Sequence, residues 1–188
     1  MQKILKKQST KCFKEKIMIA GSGGQGILFL GKILYLTAVT RGLHATYYPS
    51  YGAEVRGGTA KCMVTISNQK ISIPIFKIPD TAIVLNDPSF KKYSSTISKC
   101  SKVILFQKMQ KKIRRLSKDQ DFYVFMSGSL NCYENVRAAS YYAVISDWLD
   151  KTDILKSIEY ILRSKGADIL NINKEIFNEG YRDFKGLQ

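Results

Sequence analysis

Histidine occurs once in the 188 residues, tryptophan once, and the four cysteines stand far apart at Cys12, Cys62, Cys100 and Cys132. No CxxC pair exists, so the closely spaced thiolates that one loop supplies to an iron–sulfur cluster or a zinc ion are missing. A disulfide framework is not suggested either, and reduced thiols in a cytoplasmic protein are the expectation. The single histidine, His44, falls in a predicted strand and reads as structural, so no Ser/His/Asp set can be assembled. No paired-carboxylate motif and no thiamine diphosphate signature is present. Long apolar runs are absent too. Stretches such as Tyr141–Ile145 fall far short of the roughly 18 residues a membrane helix needs, so no membrane association is expected.

Acidic residues are scarce, 15 against 30 basic ones, for a formal net charge of +15. Such an excess suggests nucleic acid. Yet no aromatic RNA-binding box, helix-turn-helix pattern or paired zinc ligands accompany it. The charge reads as solvated faces, or as a surface that meets acidic partner chains. Its densest cluster is Lys108, Lys111, Lys112, Arg114, Arg115 and Lys118. Met1–Lys14 carries five lysines and no acid, and residues 1–15 are read as a basic N-terminal extension. Residues 16–188 have the length of one domain with one core.

Within that domain, Lys16–Ala20 is a short apolar run ending at glycines, which predicts a buried strand. Ile27–Thr40 has apolar residues at helical spacing (Ile27, Leu30, Ile33, Leu34, Ala38), with Gly42 beyond its end. His44–Tyr48 predicts a second strand, stopped by Pro49. Thr59–Ser67 predicts a third, with Asn68-Gln69 turning into Ile71–Phe76 as a hairpin that makes the sheet mixed. Thr81–Leu85, Lys102–Phe106 and Asp121–Met126 read as further strands. Asp87-Pro88 reads as an N-cap with proline at the first helical position, opening a helix through Ile97. Tyr133–Leu149, Asp153–Ser164 and Asn171–Tyr181 read as helices. The alternation predicts an α/β three-layer sandwich with a mixed, mostly parallel sheet and a glycine-rich first strand-to-helix loop.

Two segments have the residues for chemistry. Gly21, Gly23 and Gly26, with Gly24 and Gln25 between, fit GxGxxG. Glycine admits a phosphate close to the backbone, and the helix behind offers free N–H groups. The same glycines also suit a tight turn alone. A nicotinamide site would want a carboxylate at the end of the second strand, where Tyr47-Tyr48-Pro49-Ser50 stands instead. That counts against a free-standing Rossmann-like nucleotide-binding oxidoreductase. The second segment, Tyr51 to Thr59, holds Tyr51, Glu54, Arg56, Gly57 and Gly58. Glu54 and Arg56 either pair with each other or position a carboxylate or phosphate.

Together these segments resemble the gamma subunit, or gamma domain, of the 2-oxoacid:ferredoxin oxidoreductase family. The resemblance begins at Ile19–Gly26 and is most distinctive over Tyr48–Cys62. It returns at Ile71–Pro74 and Pro79-Asp80 and closes at Leu170–Asn173 through Gly180-Tyr181. Thr59 and Cys62 after Gly57-Gly58 look most like the 2-oxoglutarate and branched-chain types, with pyruvate types possible. Ala53 stands where proline is frequent, and Ser140 where asparagine is.

The resemblance implies oxidative decarboxylation of a 2-oxoacid, with coenzyme A and ferredoxin, by a complex of alpha, beta and in some cases delta subunits. It places thiamine diphosphate and the iron–sulfur clusters on those partners. No cofactor is expected on this chain alone. Gly21, Gly23, Gly24, Gln25, Gly26, Tyr51, Glu54, Arg56, Gly57 and Gly58 are then the candidates for coenzyme A contact or for shaping an interface.

Overall fold

The computed structural model describes residues 12–51, 58–106, 121–125 and 133–185. Strand β1, Lys14–Ser22, begins two residues ahead of the predicted run and buries Ile17, Met18, Ile19 and Ala20. Burial of consecutive residues means that both faces of this strand are covered, as its lack of apolar/polar alternation required. Helix α1, Ile27–Thr40, buries Ile27, Leu30, Ile33, Leu34 and Ala38, the predicted stripe. It sits close on the sheet at Gly31, where a Cβ would lie 2.5 Å from the Cys62 Sγ.

Strand β2, His44–Tyr51, continues through Pro49 rather than stopping there. It is the outermost strand of the sheet, where a missing N–H need not cost a ladder bond. Strand β3, Thr59–Ser67, has the predicted bounds. The predicted hairpin partner, Ile71–Phe76, forms no strand. Both edges of β3 are already occupied by antiparallel pairing, to β2 on one side and β1 on the other. The sheet is therefore mixed, as expected, through a different pairing.

Strands β4 (Thr81–Val84), β5 (Lys102–Phe106) and β6 (Asp121–Phe125) extend it in parallel from β1. The six-stranded order is β2-β3-β1-β4-β5-β6. Only β3 runs against the rest. The basic cluster between Lys108 and Lys118 lies outside the described residues.

Helix α2, Asp87–Lys92, is capped one residue earlier than predicted. Asn86 accepts from the Ser89 N–H, and Pro88 falls in the first turn. The predicted helix to Ile97 is divided: Tyr93 leaves helical geometry, Ser94 Oγ bonds back to the Lys91 carbonyl, and α3 is the short turn Ser94–Ile97. Helix α4, Glu134–Ile145, ends before the predicted Leu149. Ser146 turns extended there, and Trp148 folds back to donate from Nε1 to the Tyr142 hydroxyl at 2.8 Å. Helices α5 (Lys151–Leu162) and α6 (Ala167–Lys185) complete the described elements. The last starts four residues before the predicted Asn171.

The segment β1–α1–β2 moves to one side of β1, and β4–α2–α3–β5 to the other. Right-handed crossovers then place α1 and α2/α3 on opposite faces of the sheet. Helix α1 packs with α4 and α5, and α6 packs on α4 and α5, giving a thick helical layer on its face. Among the described residues no helix is long and apolar enough to cross a membrane.

Candidate functional site at the glycine-loop edge

Strands β1 and β4 lie side by side and parallel, and their chains leave in opposite directions. Such a reversal opens a crevice beyond the carboxyl ends of the two strands, where ligands of open α/β sheets bind. Gly21–Gly26 fills this position. The β1–β3 register sets Ser22 opposite Thr59, and the β2–β3 register sets Tyr51 opposite Ala60. Both ends of the segment that carries Glu54 and Arg56 are thus tied to the same sheet edge as the glycine loop. Residues 52–57, including Glu54, Arg56 and Gly57, lie outside the described residues. Gly58 is half-buried beside Thr59.

The glycines divide their labour. Gly24 and Gly26 take positive φ, 87° and 70°, a region costly for residues with a Cβ. Gly26 also leaves no room, since a Cβ would lie 2.2 Å from Asn135 Nδ2. Gly23 has ordinary φ, is exposed, and has nothing within 4 Å of a Cβ position. The tight turn that the GxGxxG glycines suit is therefore made at Gly24 and Gly26. Gly23 is dispensable for the turn and leaves bare backbone toward solvent.

Gln25 anchors the loop. Its Oε1 accepts from the Ser22 N–H at 2.8 Å and from Asn86 Nδ2 at 2.6 Å, and its Nε2 donates to the Leu85 carbonyl at 3.3 Å. Asn86 Nδ2 also donates to Ser22 Oγ at 2.7 Å. Asn86 thus caps α2 with its oxygen and clamps the glycine loop with its nitrogen, joining the two loops of the crevice. From the other side Asn135 Nδ2 reaches the Gly26 carbonyl at 3.4 Å.

Helix α1 starts with no side-chain cap and no acidic residue in its first turn. Its free N–H groups and positive dipole end favour an anion. Beside it a hollow of about 280 Å³ is lined by Ser22, Gly23, Gly24, Gly26, Ile27, Leu28 and Ala60. A second, of about 190 Å³, opens toward Phe29, Tyr133, Asn135 and Asn173. A larger hollow of about 450 Å³, between Leu36 and Thr40 of α1 and Asp153 and Tyr160 of α5, lies at the far end of α1. Two lysines approach the same edge. Lys92 donates to Thr59 Oγ1, and the ammonium groups of Lys61 and Lys92 stand 5.6 and 5.8 Å from the Tyr93 ring centre.

Asn86, Asn135, Lys61 and Lys92 were not legible as site residues in the sequence. Asn86 left a trace beside the Asp87-Pro88 helix start, and Lys61 lies inside the Tyr48–Cys62 stretch that carries the resemblance. His44 sits exposed at the start of β2, at the opposite end of the sheet. The described end of β2, through Ser50, carries no carboxylate for a ribose. No group of three His, Cys, Asp or Glu side chains is placed to hold a metal among the described residues. Cys62 and Cys100 are buried, and burial pushes both thiols up to about 12, which leaves them unreactive. Glu15 is held above the usual carboxylate range by burial and accepts from Tyr142 and Thr81 hydroxyls, both at 2.8 Å. It lies at the far end of β1 and takes no part in this edge.

Residues 16–182 match the pyruvate ferredoxin/flavodoxin oxidoreductase (POR) family. The chain belongs to this family. Curated POR-type relatives include the ketoisovalerate oxidoreductase subunit VorA of Methanothermobacter thermautotrophicus, 40% identical over 83 residues, which are 44% of this chain and 17% of VorA. Another is the 2-oxoglutarate synthase subunit KorC of Methanocaldococcus jannaschii, 35% identical over 102 residues, 54% of each chain. This POR-family chain spans between 17% and 54% of the length of the curated relatives it matches.

The same fold appears in a 2-oxoglutarate:ferredoxin oxidoreductase from Magnetococcus marinus, solved with 2-oxoglutarate, coenzyme A and succinyl-CoA bound. The TM-score is 0.77 at 18% identity, over 93% of this chain and 32% of that one. It appears also in the gamma subunit of a keto/oxoacid ferredoxin oxidoreductase from Geobacter sulfurreducens, with TM-score 0.69, 21% identity and 92% and 99% coverage.

Proposed function

We propose that this chain is the gamma subunit of a complex that oxidatively decarboxylates a 2-oxoacid. Coenzyme A and oxidised ferredoxin would be consumed, and acyl-CoA, carbon dioxide and reduced ferredoxin released. Alpha and beta chains, with or without a delta chain, would be its partners in the cytoplasm. Thiamine diphosphate and iron–sulfur clusters would reside on those partners, and electrons would reach ferredoxin through them.

The observation that supports the reading is that the Gly21–Gly26 loop and both described ends of the 52–57 segment, Tyr51 and Gly58-Thr59, meet at the switch point of a POR-family sheet. What this chain's own residues can supply there is anion binding. The uncapped α1 N-terminus, the bare backbone of Gly23 and Gly24, and the nearby Lys61 and Lys92 suit the phosphates of coenzyme A. The named candidates Gly21, Gly23, Gly24, Gln25, Gly26, Tyr51, Glu54, Arg56, Gly57 and Gly58 would form this contact. 2-Oxoglutarate is the proposed substrate, on the similarity to KorC and on the form of the Thr59–Cys62 stretch. The similarity to VorA favours a branched-chain 2-oxoacid as the second reading.

Arg56→Ala tests the contact. In the assembled complex the Michaelis constant for coenzyme A is expected to rise about tenfold with kcat held. That is the size expected for one charge-assisted hydrogen bond to a phosphate. An unchanged constant would remove Arg56 from the site.

A further inference from the structure

The connection from β3 to β4 has no role at the glycine-loop edge. It leaves β3 beyond Ser67, beside Lys14, and enters β4 at Thr81, beside Ile17. It therefore lies at the opposite end of β1 from Ser22, about 25 Å away along the strand. Its sequence, Ile71-Ser72-Ile73-Pro74-Ile75-Phe76-Lys77-Ile78-Pro79, reads like a strand and is not one. Ile73, Ile75 and Ile78 are 68%, 51% and 45% exposed. Phe76 and Pro74 are half-buried between them, and Phe76 packs against the core.

Among the described residues, none of 71–77 has a hydrogen-bond partner. Asp80, at the end of the segment, is by contrast fixed: its N–H donates to the Lys16 carbonyl at 2.8 Å and its carboxylate accepts from the Lys16 N–H at 2.8 Å. The strap is thus held at its base. Between Ile71 and Lys77 it offers unpaired backbone groups, save the N–H that Pro74 lacks, and exposed isoleucines against which an extended segment of another chain can pack.

From this, and resting on the proposed function, we infer that the strap 71–78 is a docking surface for a companion subunit of the complex. That subunit seats an apolar, extended segment against Ile73, Ile75 and Ile78, and its rim is acidic. Charge selects this occupant. Lys70 precedes the isoleucines and Lys77 stands between Ile75 and Ile78, both exposed and neither in an ion pair among the described residues. The whole chain carries +15, so a second copy would bring like charge to the contact, whereas an acidic companion is drawn to it.

The test uses the complex purified from its native cell through a tag on this chain. Recovered companions are identified by thiamine diphosphate-dependent 2-oxoacid turnover. Ile73→Ser/Ile75→Ser is expected to lower companion recovery about tenfold or more, as when two interface anchors are lost. The melting temperature of the variant chain by itself should not move, because both side chains face solvent. Lys77→Glu is expected to weaken recovery further and to blunt its salt dependence. Full recovery with the double variant would overturn the docking surface and leave the functional reading standing. A wild-type chain that brings down no thiamine-dependent companion would overturn both. A wild-type homodimer dissolved by the double variant would overturn the companion in favour of a second copy.

Discussion

Gly26→Ala is expected to destabilise the chain by about 2–5 kcal/mol. Two independent costs meet at this position. The residue sits at φ 70°, where a side chain costs about 1–2 kcal/mol. Its Cβ would also arrive 2.2 Å from Asn135 Nδ2 and 2.8 Å from the Asn135 Cγ, and forced overpacking costs about 1–3 kcal/mol. Urea unfolding of the purified chain measures the sum, and Asn135→Ala in the same background separates the parts. That second change relieves the clash and leaves the backbone cost, so the double variant is expected to recover part of the loss.

Gly23 is the control. With ordinary φ and open space around it, Gly23→Val is expected to change stability by no more than about 0.5 kcal/mol. Bulk there still obstructs whatever approaches the bare backbone, so assembly or turnover should fall without unfolding. Equal destabilisation by both substitutions would show that the loop is not divided into a folding half and a binding half.

Asn86→Asp should raise the coenzyme A Michaelis constant of the assembled complex by about 10- to 100-fold. Aspartate caps a helix as well as asparagine, so the bond to the Ser89 N–H that starts α2 is kept. The amide donors are lost. In their place an oxygen would face Gln25 Oε1, now 2.6 Å from Asn86 Nδ2, and Ser22 Oγ, now 2.7 Å. Gln25 Oε1 and a carboxylate oxygen are both acceptors and repel at that separation, whereas the Ser22 hydroxyl can turn to donate; the broken contact to Gln25 costs about 1–3 kcal/mol. The added negative charge also opposes an anion at the α1 N-terminus. Asn86→Ser retains a capping oxygen without repulsion and should have a smaller effect. A wild-type coenzyme A dependence in Asn86→Asp would mean that the clamp between the two loops does not position the site.

The elements that the sequence made legible are those whose signal is local. Thr59–Ser67 and Lys102–Phe106 are bounded by polar or glycine residues on both sides, and their strands have the predicted ends. The α1 stripe follows from helical spacing alone. The errors arose where pairing decides. Ile71–Phe76 has strand composition, but β2 and β1 occupy the two sides of β3 before it can pair. Pro49 reads as a stop only until β2 is known to lie at the sheet edge.

The site divides the same way. GxGxxG announced the loop, but the consensus could not say that Gly24 and Gly26 bear its strain while Gly23 stays free. Asn86 and Asn135 lie 61 and 109 residues from their partners Gln25 and Gly26. No spacing rule connects residues so far apart, so the clamp emerges only when β4 and α4 are in place.

The most direct measurement is ferredoxin reduction by material purified through a tag on this chain from its native cell. The expected result is a hetero-oligomer that reduces ferredoxin only when a 2-oxoacid, with 2-oxoglutarate foremost, coenzyme A and thiamine diphosphate are all supplied. A tagged chain recovered by itself, or companions that reduce ferredoxin without need of coenzyme A, would contradict a coenzyme A contact at the glycine-loop edge.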